Sequence, residues 1–370
     1  MSKEVVIVTK IGKNHGALLQ AFALKRAVEV MGMNVRIVNY ALPKTLRTYE
    51  ILPKVTGIST LKSFFSYLRV YRSTKKSVNK FLAFRDDYFN FTKIYHDFTE
   101  LKNNPPKADI YITGSDQVWN PCINFDPAYY LMFGNENAIR ASYAASIGID
   151  CIPDEYKDEF LRRLSNITCK SVREESAKTL LEDLGINSTV SLDPTLLHNR
   201  DVYDEIAIES HISGPYILLY LLIMPNDVKE YIDNLRKKYP NCILVNIPGS
   251  PTSKRIGDIE MRDIGPREFL GLIKNAEAVL TSSFHGTVFS IIYEKNFMSI
   301  LPTKTGGRIK DLLCKLDLKE RIAVTPANID ELTNKIDYDN VNEKLSFLKE
   351  KSYDYLYEIK EQSKKIYGGK

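Results

Sequence analysis

The sequence predicts an α/β protein made of two successive strand–helix halves. Three observations lead there. Short apolar runs alternate with amphipathic segments, as in Val5–Thr9, Ala17–Met31 and Val35–Tyr40. Such uninterrupted runs suit strands buried on both faces of a parallel sheet. The rhythm resumes after Pro106 and begins again near Gly214. The strands run into polar, Gly-bearing loops, the edge at which open α/β sheets bind ligands.

In order, Val5–Thr9 is the first strand and Ala17–Met31 a helix with Leu18, Ala21, Phe22, Leu24 and Val28 on its apolar side; Gly32 closes it. The loop between them, Lys13-Asn14-His15-Gly16, is not a GxGxxG fingerprint. Asn14, His15, Gly16 and Gln20 either line a ligand cleft or only cap and turn. Residues 44–105 break the rhythm. Leu61, Phe64, Phe65 and Leu68 have helical spacing, as do Phe81, Phe84 and Tyr88. From Lys44 to Lys102 there are 12 Lys/Arg and five Asp/Glu, net +7, so the rest of the chain is about −2. This reads as a basic helical insertion in the first domain: a solvated face, or a contact for anionic lipid or a phosphorylated substrate.

Ala108–Thr113 is the next strand, followed by Gly114-Ser115-Asp116-Gln117-Val118-Trp119-Asn120-Pro121, which holds the only Trp. Arg140–Ile147 and Ile167–Val172 read as strands, Pro153–Leu164 and Ala177–Leu184 as helices, and Asp193-Pro194-Thr195 ends the half. The second half has strands at Tyr216–Leu222 and Cys242–Ile247, and helices at Asn226–Lys238 and Phe269–Asn275 with Pro266 in the first turn. A loop at Pro302–Arg308 and helices at 326–336 and 341–365 complete it. The expected division is a first domain at 1–200 with the insertion at 44–105, a second at 201–340, and a closing helix at 341–370.

Residues 276–301 are the most informative stretch. Ala278–Leu280 is a short buried strand, Thr281-Ser282-Ser283 interrupts it, and Thr287–Glu294 has apolar helical spacing. A helix beginning at the carboxyl end of a strand presents free N–H groups to an anion. His285 stands there, and Gly286 permits close backbone approach. Ser282, Ser283 and Gly286 are therefore candidate substrate contacts. So are Ser115, Gln117 and Trp119 of the earlier elbow.

The chain's 370 residues suffice for two domains, and the 44% hydrophobic content is that of an ordinary globular protein. A net charge of +5 does not indicate nucleic acid. Cys122, Cys151, Cys169, Cys242 and Cys314 are scattered without paired spacing, which argues for reduced thiols in a cytoplasm and against a zinc site. Met-Ser-Lys-Glu enters a strand at once, so no signal peptide is expected. No apolar run approaches the ~18 residues of a membrane span.

Taken together, Asn14–Ala21, Gly114–Pro121, Ser142–Gly148, Val172-Arg173-Glu174, Leu192-Asp193-Pro194-Thr195 and Ser282–Gly286 resemble the polysaccharide pyruvyl transferase family. Gly-Ser-Asp-Gln-Val-Trp-Asn-Pro is the most specific string. The resemblance implies two Rossmann-like domains facing a cleft, as in B-type glycosyltransferases. It also implies phosphoenolpyruvate as donor, a saccharide hydroxyl pair as acceptor, free or lipid-linked, and a pyruvate ketal as product. The family signature Arg-Phe-His or Arg-Leu-His aligns with Ser283-Phe284-His285, so His285 carries over as general acid and phosphate contact. Ser283 replaces the signature Arg. Arg173 and Arg308 are the candidate anion contacts in its stead.

Phosphoenolpyruvate carries a phosphate and a carboxylate, and so requires cationic and N–H donors. Ketal formation needs a proton delivered to the methylene carbon, which a His can supply. Asp116 is the candidate acceptor of a hydroxyl proton; an Asx turn is its other reading. No motif demands a metal or a cofactor. Two rival functions remain. One is a nucleotide-sugar glycosyltransferase, for which Arg267 and Glu268 would be the charged pair. The other is a non-catalytic donor- or glycan-binding relative, suggested by Ser283.

Overall fold

The computed structural model describes residues 2–52, 58–123, 125–303 and 306–367. Lys54 of the basic segment and residues 304 and 305 of the loop expected at Pro302–Arg308 lie outside them, as do the side chains of 58–63, Leu61 among them. The chain forms two compact units. One comprises Met1–Thr48, Asp86–His198 and Glu343–Lys370, the other Tyr49–Arg85 and Asn199–Asn342.

The chain begins with β1 (Glu4–Val8), α1 (His15–Val30), β2 (Asn34–Tyr40) and the short α2 (Pro43–Arg47), then α3 (Ile58–Arg69) and α4 (Tyr71–Tyr88). It continues with β3 (Phe91–Tyr95), α5 (Phe98–Asn103), β4 (Ile110–Thr113), β5 (Ile139–Ser142), α6 (Asp154–Leu164), β6 (Ser171–Val172), α7 (Glu175–Asp183) and β7 (Thr189–Val190). The first unit's sheet is parallel, in the order β3-β2-β1-β4-β5. Val5, Val6, Ile7 and Val8 are all buried, as expected of a central strand flanked on both sides. Past β5, single parallel bridges at Ala141–Cys169 and Ala145–Val172 lead to the β6–β7 pair. Asn14 caps α1: its backbone is extended and its Oδ1 accepts the Ala17 N–H at 3.0 Å. Gly32, at φ +78°, ends that helix.

The second unit runs α8 (Arg200–Asp204), β8 (Tyr216–Tyr220), α9 (Val228–Lys238), β9 (Ile243–Asn246), β10 (Ile259–Glu260), α10 (Pro266–Lys274), β11 (Ala278–Thr281), α11 (Phe284–Ile292), β12 (Asn296–Ile300), α12 (Gly307–Lys315) and β13 (Ile322–Ala323). The long α13 (Tyr338–Tyr367) starts in this unit and belongs to the first from Glu343 onward. The second sheet is parallel, ordered β10-β9-β8-β11-β12-β13. Ile217, Leu219, Leu244, Leu280 and Met298 form its core.

The structure departs from the sequence reading in five places. Tyr49–Arg85 belongs to the second unit, not to an insertion carried by the first. Phe91–Tyr95 is an edge strand beside β2 rather than part of a helical segment; its exposed Lys93 suits an edge. Asn296–Ile300 adds strand β12 alongside β11, and Gly307 opens helix α12 where a loop was expected. Finally, the helix expected at 326–336 is a 3-10 helix, Pro326–Thr333.

Candidate functional site

The five-stranded and the six-stranded sheet each have one topological switch point. In the first unit the chain proceeds outward from β1 to β2 and β3, then returns to the other side of β1 as β4. A crevice therefore opens where the loops after β1 and β4 part. Val8 pairs with Thr113, so the two loops leave the sheet level with each other. The Thr9 hydroxyl donates to Ser115 O at 2.9 Å and accepts from Gln20 Nε2 at 2.9 Å. Lys10 Nζ donates to Gln117 O at 2.6 Å. A Cβ on Gly114 would stand 2.9 Å from that of Thr9, so the approach of the loops requires glycine there.

Asp116 lies at φ +81°, the left-handed region, with Oδ1 accepting the Gln117 N–H at 2.8 Å. It thus forms the local Asx contact foreseen as its second reading. Its carbonyl accepts from Val118 N and Ser146 N, tying this elbow to the loop after β5. Gln117 is 8% exposed, and its Nε2 has no hydrogen-bond partner among the described residues. Burial and the charge of Lys13 push the His15 imidazole down to about 3, so that it is neutral.

Beneath this crevice lies a buried ionic cluster. Arg173 Nη1 is 2.7 Å from Asp193 Oδ2 and 3.2 Å from Ser115 Oγ; Arg173 Nε is 3.8 Å from Glu174 Oε2. Asp193 also accepts from Ser115 Oγ at 3.0 Å, Thr195 N at 3.1 Å and Thr195 Oγ1 at 2.6 Å. Glu174 Oε1 accepts from Ser146 Oγ at 2.7 Å and from the N–H groups of Ile147 and Gly148 at 3.1 Å each. Burial opposes the Arg173 charge, but the carboxylates of Asp193, Glu174 and Asp116 outweigh it and raise its pKa.

The structure places several of the sequence-predicted site residues within the fold. Arg173, a candidate anion contact, is buried and ion-paired with Asp193 within the fold. Ser115 is fully buried in the same cluster. Trp119 is core: it is fully buried, its Nε1 donates to Tyr129 O at 3.2 Å, and it stacks on Tyr130 at 6.3 Å. Gln20 is fully buried, holding Thr9 and the Ala17 carbonyl. Asn14 caps α1, and Gly16 is buried in that helix's first turn. Glu174 and Asp193 are residues of this cluster that sequence reasoning missed; their place, respectively two and three residues past the short strands β6 and β7, is the signal that marks them.

The second unit's switch point lies between β8 and β11, where Tyr220 pairs with Thr281. Ser282 staples the two loops: its Oγ accepts the Ile223 N–H at 3.1 Å and donates to Ile223 O at 3.0 Å. Ser283 is the N-cap of α11, its Oγ accepting the Gly286 N–H at 3.3 Å. Tyr220 shares a side-chain hydrogen bond with Ser283, and burial raises its phenol pKa. A Cβ on Gly286 would fall 2.3 Å from Thr281 Oγ1, so α11 can meet the strand end only through glycine. His285 follows in the first turn of α11, buried, its ring edge-on to Phe284 at 5.2 Å. The half-buried Arg308, from α12, carries its guanidinium 5.7 Å from the centroid of the Phe284 ring. Ser282, Ser283, His285, Gly286 and Arg308 are thus gathered at one helix start. The described residues contain no cluster of three or more His, Cys, Asp or Glu side chains able to hold a metal ion.

A family model described as polysaccharide pyruvyl transferase matches residues 14–303. No curated protein sequence matches the chain. Among solved structures, the UDP-GlcNAc 2-epimerase of Neisseria meningitidis, bound to UDP-GlcNAc, superposes with a TM-score of 0.50 at 10% identity, covering 98% of this chain and 100% of that one. The MnaA–UDP structure of S. aureus gives 0.47 at 12% identity, covering 93% and 91%. The spinosyn forosaminyltransferase SpnP gives 0.46 at 7% identity, covering 98% and 100%. At 10% identity the likeness to the epimerase concerns the fold alone, two Rossmann-like α/β domains.

Proposed function

Because the chain belongs to the polysaccharide pyruvyl transferase family, we propose that it transfers pyruvate from phosphoenolpyruvate to a pair of saccharide hydroxyls, forming a ketal in cell-surface or exopolysaccharide synthesis. One observation carries this reading. Arg308 lies over Phe284 at the α11 N-terminus, beside His285, although Ser283 occupies the position of the signature Arg. A cation and the first N–H groups of a helix are what a phosphate-bearing donor requires.

In this reading the donor anion is held by Arg308 and the α11 N-terminus. His285 delivers a proton to the methylene carbon, C3. A saccharide hydroxyl adds to C2 and loses its proton to a base; the C2–O bond to phosphate breaks, and the second hydroxyl closes the ketal. Two protons leave the hydroxyls: one balances the proton gained by C3, and the other departs with inorganic phosphate. Within the first unit, Asp116 is our candidate for a base, and the Gln117 amide and His15 are candidate neutral contacts for a saccharide. Arg173, Asp193 and Glu174 position the Asp116 loop. No cofactor is invoked. The free thiols of all five cysteines fit a reducing cytoplasm.

The test is phosphate release from phosphoenolpyruvate against a panel of free and lipid-linked glycan acceptors. His285→Gln should keep the fold and lower turnover by on the order of 10²–10⁴. Near-normal turnover by a folded variant rejects the assignment. Binding of the donor with no turnover on any acceptor would make the protein a non-catalytic relative, and binding of a nucleotide-sugar in its place a glycosyltransferase.

A further inference from the structure

The segment between α2 and β3 carries a surface that the reaction does not use. From Ile51 to Arg85 the sequence has eight Lys/Arg and no Asp or Glu. Helix α4 is seated on the second unit through its buried side, which includes Thr74, Ser77, Val78, Phe81 and Phe84. Ser77 Oγ donates to Ile264 O at 2.8 Å, and Lys80 Nζ lies 2.8 Å from Glu268 Oε1. Opposite, Arg72, Lys75, Lys76, Asn79 and Leu82 are exposed. Their spacing of three and four residues makes one continuous stripe. Asp86 and Asp87, in the last turn of the same helix, are exposed as well. Among the described residues, Lys76 is the one cation of the stripe with a carboxylate close by, Asp263 at 3.8 Å, a long and exposed pair. Just before the stripe, at the end of α3, Phe65 is 58% exposed and Leu68 45%, next to the exposed Arg69.

We propose that this α3–α4 face docks on an anionic lipid bilayer. Phe65 and Leu68 enter the headgroup boundary, while Arg69, Arg72 and Lys75 face lipid phosphates. The argument is charge complementarity. A stretch from Ile51 to Arg85 without one acid matches a surface of uniform negative sign, whereas protein surfaces mix signs. Exposed aromatic and leucine side chains beside the cations add the apolar insertion by which interfacial helices bind bilayers. The proposal concerns the membrane alone and stands whether or not the donor is phosphoenolpyruvate.

The experiment is co-sedimentation of the full chain with vesicles of phosphatidylcholine alone and of phosphatidylcholine with phosphatidylglycerol. Wild type should pellet with the anionic vesicles only, and high salt should release it. Replacing two cations, Arg72→Gln with Lys75→Gln, should weaken partitioning roughly 30-fold. Phe65→Ser with Leu68→Ser should weaken it by about tenfold. All four side chains are exposed, and unchanged thermal melts would show that the losses are not unfolding. The proposal is overturned if wild type stays in the supernatant, if both vesicle types bind it equally, or if both double variants bind like wild type. Retention on heparin without vesicle binding also overturns it, and assigns the cations to an acidic polymer.

Discussion

The two carboxyl-end crevices are built from the same parts and use them differently. In the first unit the polar residues after β4, β5, β6 and β7 bind one another: Ser115, Ser146, Arg173, Glu174, Asp193 and Thr195 form one buried set. In the second unit the hydroxyls of Thr281, Ser282 and Ser283 satisfy backbone groups, and the charge at the helix start comes from a separate helix through Arg308. The two candidate arginines thus stand in different surroundings. Burial sets them apart: Arg173 is 6% exposed and paired inside the fold, whereas Arg308 is half-buried with its guanidinium over an aromatic face.

The largest effect on stability should come from breaking the first region. Asp193→Ala takes from Arg173 the carboxylate at 2.7 Å, and removes the acceptor of Ser115 and Thr195. We expect a loss of about 3–5 kcal/mol, the usual cost of removing one partner of a buried pair. Denaturant unfolding measures it, and a wild-type midpoint would mean the cluster is dispensable.

In the second region the corresponding break is steric. Gly286→Ala puts a methyl group 2.3 Å from Thr281 Oγ1, which itself donates to Tyr220 O at 2.8 Å. Overpacking of this kind costs about 1–3 kcal/mol, and it should also shift α11 and so lower turnover. Unchanged unfolding and activity together would show that the elbow yields more easily than its contacts imply.

A smaller effect is expected from the cap. Ser283→Ala removes the acceptor of the Gly286 N–H and the partner of Tyr220. It should cost about 1 kcal/mol. If Ser283 were a donor contact rather than a cap, the phosphoenolpyruvate KM would rise while stability stayed unchanged.

The smallest effect is a pH dependence arising in the first unit. Burial and Lys13 lower His15 to about 3, and burial lowers His198 although Ala23 O faces its ring at 2.8 Å. Both pKa values are lower in the folded state than the unfolded value of about 6.5, so the unfolded chain binds protons first as pH falls. Stability should be full above about pH 6.5 and decline below it. Melting temperatures between about pH 7.5 and 5 test this, and His15→Asn should flatten the slope; an unaltered slope would locate it elsewhere.

Much of the fold was legible in the order of residues. Val5–Val8, Ile110–Thr113, Tyr216–Tyr220 and Ala278–Thr281 are apolar runs that can only be buried, and Asn14, Gly32 and Ser283 mark helix ends by their own chemistry. The polar elbow at Ser282–Gly286 was legible too, because cap and turn contacts reach only a few residues along the chain. Tertiary structure decided what depends on distant partners. Asp193 meets Ser115 across 78 residues and Arg173 across 20, and no local pattern distinguishes that pairing from two exposed charges. Phe91–Tyr95 became a strand through β2, more than 50 residues earlier in the chain. Tyr49–Arg85 joined the second unit because the buried side of α4 packs on residues near Ile264. Local periodicity specifies which residues seek burial. Which surface buries them is set by contacts formed only when the chain folds back on itself.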